Sequence, residues 1–258
     1  MEPENTEVAQ FTITVADQPI EMEMKLPTLP VTAKRLLPVI QKMSDSFVKV
    51  GEDGIKTQGK EISCKKGCGA CCCHLVPVGE MEAHNIADLI KKMPEPKRSN
   101  IVKKFSDAVE HFQKNGWLEK LNTLNSMSNQ VRLDLATEFF YEGVSCPLLE
   151  DGACSIHKDR PLVCREYLVT TPAENCSDPA NNPIDRVFFP TALSTPLRDL
   201  GKNPEIKASP PFLPLMLSLV WAERFPESSE EKPGKDWMNE FLSYIEQYEK
   251  NKKNGLKD

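Results

Sequence analysis

Apolar and polar residues alternate in FTITVADQPIEMEMKL, residues 11–26 of the chain. A period of two is typical of strands that bury one face, so we predict a pair of strands here, with a turn at residues 17–19. The acidic and polar residues 1–10 are predicted to form a disordered tail. The apolar positions of the predicted strands are Phe11, Ile13, Val15, Ile20, Met22 and Met24.

Further along, apolar residues recur every three or four positions, as they do on the buried face of a helix. The polar, glycine-punctuated segment 50–63 is predicted to be a loop. The predicted fold is mainly α (α+β): a single helical domain over residues 11–250 with a small N-terminal β-hairpin, followed by a solvated tail at 251–258. The predicted helices cover residues 32–47, 79–92, 98–114, 128–142, about 212–225 and about 236–250.

Residues 143–185 show neither the alternation of a strand nor the three-to-four-residue repeat of a helix. They are rich in Pro, Asn, Asp and Gly. So long an irregular segment is unusual in a compact domain unless something other than regular structure organises it. A metal would do so, and this segment contains Cys146, Cys154, Cys164 and Cys176. We therefore predict an irregular region organised by metal, which together with the cysteines that precede it covers residues 62–178.

The other five of the nine cysteines lie in CKKGCGACCCH, residues 64–74. Gly67 and Gly69 suit a tight loop that wraps an ion. Lys65 and Lys66 are expected to lower the pKa of the neighbouring thiols and to offset the charge of thiolates. The cysteines of this cluster are Cys64, Cys68, Cys71, Cys72 and Cys73.

Composition decides which compartment and which partners are expected. The net charge of −6 argues against a general nucleic-acid binder, which would present a basic face. The N-terminus lacks the pattern of a secretory signal, and no apolar stretch reaches the length of a membrane span, so a cytoplasmic location is expected. Thiols stay reduced there and nine is an odd number, which favours metal binding or redox chemistry over disulfides.

Neither cysteine set alone has the spacing of a standard metal site, so we expect the two sets to meet in space. Eight thiolates could form two sites of four ligands or one polynuclear site, and they suit zinc and iron–sulfur clusters equally. For Cys73, packing and ligation are equally open, and ligand roles for His74 and His157 also stay open. The eight candidate ligands are Cys64, Cys68, Cys71, Cys72, Cys146, Cys154, Cys164 and Cys176.

The combined motif, C-x3-C-G-x-C-C, then C-P-L-L, then G-x-C-x-I-H-x-x-R-P-x-x-C-R-x-Y, resembles the YkgJ-like cysteine-cluster proteins, a zinc- or iron-chelating family. The resemblance covers about residues 62–178, and the same pattern occurs in flagellin lysine N-methylases. It implies that the first seven candidate cysteines are ligands, while Cys176 lies just past the core motif. The x3 gap after Cys64 and the additional Cys73 depart from the family pattern.

Several polar residues near the motif were assigned structural or functional roles. For Arg160 we favour an ion pair that braces the loop, with Asp151, Asp159 or Glu166 as partner. Arg165 could equally brace the loop or neutralise a cluster or an anionic substrate. Tyr167 either donates its hydroxyl to a sulfur or packs. His84 and His111 fall on polar helix faces and are expected to be solvated.

Three functions are compatible with the sequence. The first is an iron–sulfur protein with a redox or catalytic role. The second is a structural zinc protein that binds a protein partner, and the third is a modifying enzyme similar to the protein lysine N-methylases. The sequence contains no glycine-rich nucleotide loop, which weakens the third.

Overall fold

The computed structural model describes residues 5–15, 18–123, 127–206, 210 and 212–254. The helices are α1 (Leu37–Thr57), α2 (Glu80–Lys91), α3 (Lys97–Lys114), α4 (Trp117–Asn122), α5 (Asn129–Tyr141), α6 (Leu162–Arg165), α7 (Ser194–Leu197), α8 (Ser218–Arg224) and α9 (Gly234–Lys253). The strands are β1 (Thr6–Val15), β2 (Gln18–Pro27), β3 (Val31–Thr32), β4 (Pro77–Val78), β5 (Leu149–Glu150), β6 (Ala153–Cys154), β7 (Leu213–Pro214) and β8 (Glu231–Lys232). The predicted mainly α (α+β) fold with an N-terminal hairpin is confirmed.

The N-terminal hairpin pairs β1 with β2 in antiparallel register, with Ile13 opposite Ile20. The predicted disordered tail is too long, because β1 already begins at Thr6; residues 1–4 lie outside the described residues. The predicted turn is also wrong, since residue 18 pairs with residue 15 inside the hairpin. The alternation of burial continues back to Ala9, which explains why the strand starts early.

Two helices are longer than their apolar patterns predict. Helix α1 continues to Thr57 through most of the segment that we predicted as a loop, and an ion pair between Lys49 and Asp53 links successive turns of this polar extension. Helix α9 reaches Lys253 inside the predicted solvated tail; residues 255–258 lie outside the described part of the chain. Where the predicted helix 212–225 should begin, β7 instead pairs with β4.

Among the described residues, three groups of buried side chains form the core. One joins the hairpin to α1 and α9, where Trp237 and Phe241 are almost fully buried. Another joins α2 and α3 to the segment that holds Cys146, and the remaining group packs α3, α4 and α5 together. The cysteine-rich segments therefore lie directly against helices of the core. Among the described residues, no helix has both the length and the hydrophobicity needed to cross a membrane.

Candidate metal centre

The first cysteine cluster is a loop followed by a 3₁₀ turn at Ala70–Cys73. Within it the Cys68 amide donates to the Lys65 carbonyl at 3.0 Å, and the Cys72 amide donates to the Gly69 carbonyl at 2.9 Å. Gly67 has a φ of 89°, a conformation that favours glycine, so the predicted tight turn is real at this position. The loop therefore holds its thiols through local backbone hydrogen bonds.

The second cysteine segment docks on the first through its backbone. The amide of Cys146 donates to the carbonyl of Cys72 at 2.7 Å. Strands β5 and β6 then form a small hairpin whose turn residue Gly152 has a φ of 75°, and a Cβ at this position would lie 2.9 Å from the Gly67 carbonyl oxygen. Since the two turns touch, a side chain at Gly152 would push the two halves of the cysteine region apart.

Backbone contacts also hold the remaining cysteines in place. The Cys164 amide donates to the Pro161 carbonyl at 3.0 Å in the short helix α6. Cys176 is buried in a 3₁₀ turn, Ala173–Ser177, that packs against the turn of Cys71. Next to Cys64, the Ser63 amide donates to the Val169 carbonyl at 2.9 Å. The two sets of cysteines, separated by about seventy residues of sequence, thus form one region.

Cys71 interacts with cysteines from both segments. The neighbouring Cys72 thiol raises its pKa, and Cys71 interacts electrostatically with five further cysteines: Cys64, Cys146, Cys154, Cys164 and Cys176. Cys64, Cys68 and Cys176 also interact with one another. Cys146, Cys154 and Cys164 form a corresponding group on the other side. Cys71 therefore interacts with both groups of thiols, and Cys73 also interacts with Cys146.

Without a cation these thiols resist ionisation. The hydrogen bond with Cys72 raises the pKa of Cys71, and burial adds to that effect. Burial raises the pKa of Cys146 to about 12 and also raises the pKa of Cys164, and neighbouring cysteines act in the same direction. Thiolates crowded in this way are stable only beside compensating positive charge, which a metal supplies.

All nine cysteines are free thiols, which fits a soft metal such as zinc or iron better than a disulfide framework. In the part of the chain that the structure describes, no group of three or more His, Cys, Asp or Glu side chains is close enough to hold a metal ion as placed. The sulfurs are therefore gathered in one region but do not surround a common point. Residues 64, 68, 71, 72, 146, 154, 164 and 176 supply the soft donors that such a metal would need.

Arg160 is the cation that interacts with thiols of both groups. Its charge lowers the pKa of Cys64, Cys71 and Cys154 against the opposing effect of burial, and its Nε is buried without a hydrogen-bond partner. Our preference for an ion pair of Arg160 is wrong, because no described carboxylate pairs with it. The lysines that we expected in this role are exposed at positions 65 and 66.

The remaining residues near the centre differ in their surroundings. Cys73 Sγ lies 3.8 Å from Ser145 Oγ. The exposed His157 contacts the guanidinium of Arg160. His74 packs its ring 4.7 Å from that of Phe140, with its Nε2 buried and unpaired. Their roles as ligands stay predictions.

Three polar residues away from the thiols, Arg165, His84 and His111, were also assigned roles from the sequence. Arg165 is 5% exposed, and its guanidinium binds the Asp45 carboxylate and the carbonyls of residues 158 and 160, so it braces the loop. His84 is 8% exposed rather than solvated, because the polar face of α2 packs under Lys34 and neighbouring acids. His111 contacts Glu142 across to the end of α5.

Glu82, a buried carboxylate next to the centre, was not among the predicted site residues. Its Oε1 accepts the Leu162 amide at 2.9 Å, and its Oε2 accepts the Gly79 amide at 3.3 Å. The first bond fixes the start of α6, the helix of Cys164. A glutamate at the third position of a predicted helix is the sequence signal for the second bond, but nothing in the sequence indicates the first.

The burial of Glu82 predicts a pH dependence of stability. Burial raises its pKa from 4.5 to about 7, against the opposing effect of the two amides. Because the folded state binds this proton more tightly, the stabilisation is complete below about pH 4.5 and is lost as the pH rises through about 7, by up to about 3 kcal/mol. We expect Glu82→Gln to remove this decline.

Urea unfolding of the protein with its metal between about pH 5 and pH 8 measures the effect. Glu110→Gln, on the exposed side chain of a helix, is the matched control and should keep the decline. Equal pH slopes for the wild type and Glu82→Gln would contradict the assignment.

Residues 63–181 match the model of the CxxCxxCC family, described as "Putative zinc- or iron-chelating domain". The match includes all eight candidate cysteines and both segments of the region. No curated protein and no solved structure matches the chain.

Proposed function

We propose, from the match of residues 63–181 to the CxxCxxCC family model, that this region holds one polynuclear iron–sulfur centre with a redox or catalytic role. The proposed ligands come from Cys64, Cys68, Cys71, Cys72, Cys146, Cys154, Cys164 and Cys176. The central observation is that Cys71 interacts with both groups of thiols. Two independent four-ligand sites would not require a shared cysteine, whereas a polynuclear centre accommodates one.

The surroundings of the thiols support this choice. An iron–sulfur cluster supplies electron transfer when bound, and its potential depends on charge, hydrogen bonding and exposure. Arg160 places a cation beside the cysteines, which offsets the negative charge of thiolates. Most of the cysteines are only half buried, so a redox partner could approach them, while free thiols are typical of the reducing cytoplasm that we propose as its location.

The proposal predicts that protein purified without oxygen is brown, with absorbance in the visible range and with both iron and acid-labile sulfide bound to each chain. Metal analysis and a visible spectrum of the same preparation measure this. A colourless preparation with stoichiometric zinc would contradict the iron–sulfur assignment. It would favour a zinc centre that pins the irregular segment, since the binding energy of structural zinc stabilises the fold.

A further inference from the structure

A group of polar side chains beside the cysteines is unused by the proposed metal centre. It consists of His74, Tyr167 and Arg186. The Arg186 guanidinium carbon lies 4.7 Å from the centre of the Tyr167 ring, and the rings of Tyr167 and His74 are 5.7 Å apart. We call these three residues the Arg186 subsite.

The backbone holds the members of this group together. The Val187 amide donates to the Leu168 carbonyl at 2.9 Å, and an isolated β-bridge joins Arg186 to Val169. Arg186 is thereby held next to Tyr167, while His74 follows the turn of the clustered cysteines directly. Arg186 also interacts electrostatically with His74 and Cys176, so the subsite adjoins the thiols.

The buried polar groups of the subsite lack hydrogen-bond acceptors. His74 Nε2 is buried without a partner, and the group beside the buried Tyr167 hydroxyl is the Arg186 guanidinium, which is a donor. Arg186 is exposed, and no carboxylate among the described residues forms an ion pair with it. Buried polar groups are normally paired, and a guanidinium matches the geometry of a carboxylate or phosphate. A hydroxyl and an imidazole N–H can donate to the same oxyanion.

We propose that the Arg186 subsite binds an oxyanion, the phosphate or carboxylate of a small ligand, beside the cysteine centre. Arg186 supplies the charge from the solvent side, and the Tyr167 hydroxyl and the His74 imidazole donate hydrogen bonds from the buried side. The inference rests on the proposed function only for its location next to a metal centre. It does not depend on whether that metal is iron or zinc.

Ligand-detected NMR at constant ionic strength tests the subsite on protein purified with its metal, with inorganic phosphate in one arm and acetate in the other. We expect at least one of them to bind the wild type. Arg186→Gln should weaken binding about tenfold or more, and Tyr167→Phe about threefold or more. The larger effect is expected for Arg186 because a hydrogen bond from a charged donor is stronger than one from a neutral donor. Lys25→Gln, an equal charge change on the exposed side of the hairpin, should bind like the wild type.

Metal content measured on the same samples separates this inference from the proposed function. Binding that depends on Arg186 and Tyr167 supports the subsite even where the preparation contains no iron. Wild-type protein with its metal bound that takes up neither anion overturns it. Equal binding by the wild type, Arg186→Gln and Tyr167→Phe also overturns it, because the anion then binds elsewhere. The arm that binds more tightly identifies the ligand as a phosphate or a carboxylate.

Discussion

Replacing Cys71 by serine is expected to remove almost all bound metal while leaving the helical core folded. Serine keeps the size of the side chain but is a much weaker ligand for a soft metal. Structural metal binding in proteins is worth roughly 10–16 kcal/mol over four ligands, so the loss of one costs about 3 kcal/mol, on the order of a hundredfold in affinity. Because Cys71 interacts with both groups of thiols, its loss affects both.

Cys73→Ser is the matched control, since it removes a thiol only two residues away. The Sγ of Cys73 lies beside the Ser145 hydroxyl, and Cys73 is not among the eight proposed ligands. We expect Cys73→Ser to keep most of its metal. Metal content per chain, measured after anaerobic purification and desalting, gives the comparison, and circular dichroism checks that both variants keep their helices.

The pattern of metal retention also distinguishes one shared centre from two independent ones. If Cys71 belonged to only one of two separate sites, Cys71→Ser would lose about half of the metal and Cys176→Ser would lose either the same half or the other. Retention of full metal content by Cys71→Ser would contradict the proposed ligand role of this residue.

The sequence was sufficient to predict the longer helices and the cysteine region, because both depend on local patterns, whereas the short helices α4, α6 and α7 were not predicted. The repeat of apolar residues in α3 indicated its bounds to within one residue. It could not indicate the full length of α1, whose last turns are polar and are held by packing of Gly51 against Phe189. Such contacts depend on residues that are distant in the chain.

The candidate site divides in the same way. The clustered cysteines and glycines are visible in the sequence. The contact between the turns of Gly67 and Gly152 forms only where the two cysteine segments dock in the fold. The sequence could not indicate that Arg160 interacts with the thiols, because several acids near it were equally plausible partners. Glu82 was missed for a similar reason: its bond to the Leu162 amide joins residues that are eighty positions apart.

Replacing Arg165 by methionine is expected to lower the free energy of unfolding by about 3 kcal/mol. Methionine preserves much of the buried aliphatic volume but removes the guanidinium. That group donates to the Arg160 carbonyl at 3.0 Å, to the Lys158 carbonyl, and to Asp45 Oδ1 at 2.7 Å. These bonds fold the chain before α6 back on itself and tie it to α1, so metal affinity should fall with stability.

Two further variants separate the contribution of the carbonyl bonds from that of the ion pair. The side chain of Asp45 is 58% exposed, so Asp45→Asn should cost less than about 1 kcal/mol. Arg165→Lys keeps the charge but cannot reach all three acceptors at once. We expect its free energy of unfolding to lie between those of Arg165→Met and the wild type. Denaturant unfolding of the four proteins with metal bound measures the series. If Asp45→Asn cost as much as Arg165→Met, the ion pair rather than the carbonyl bonds would hold the loop of Cys164 in place.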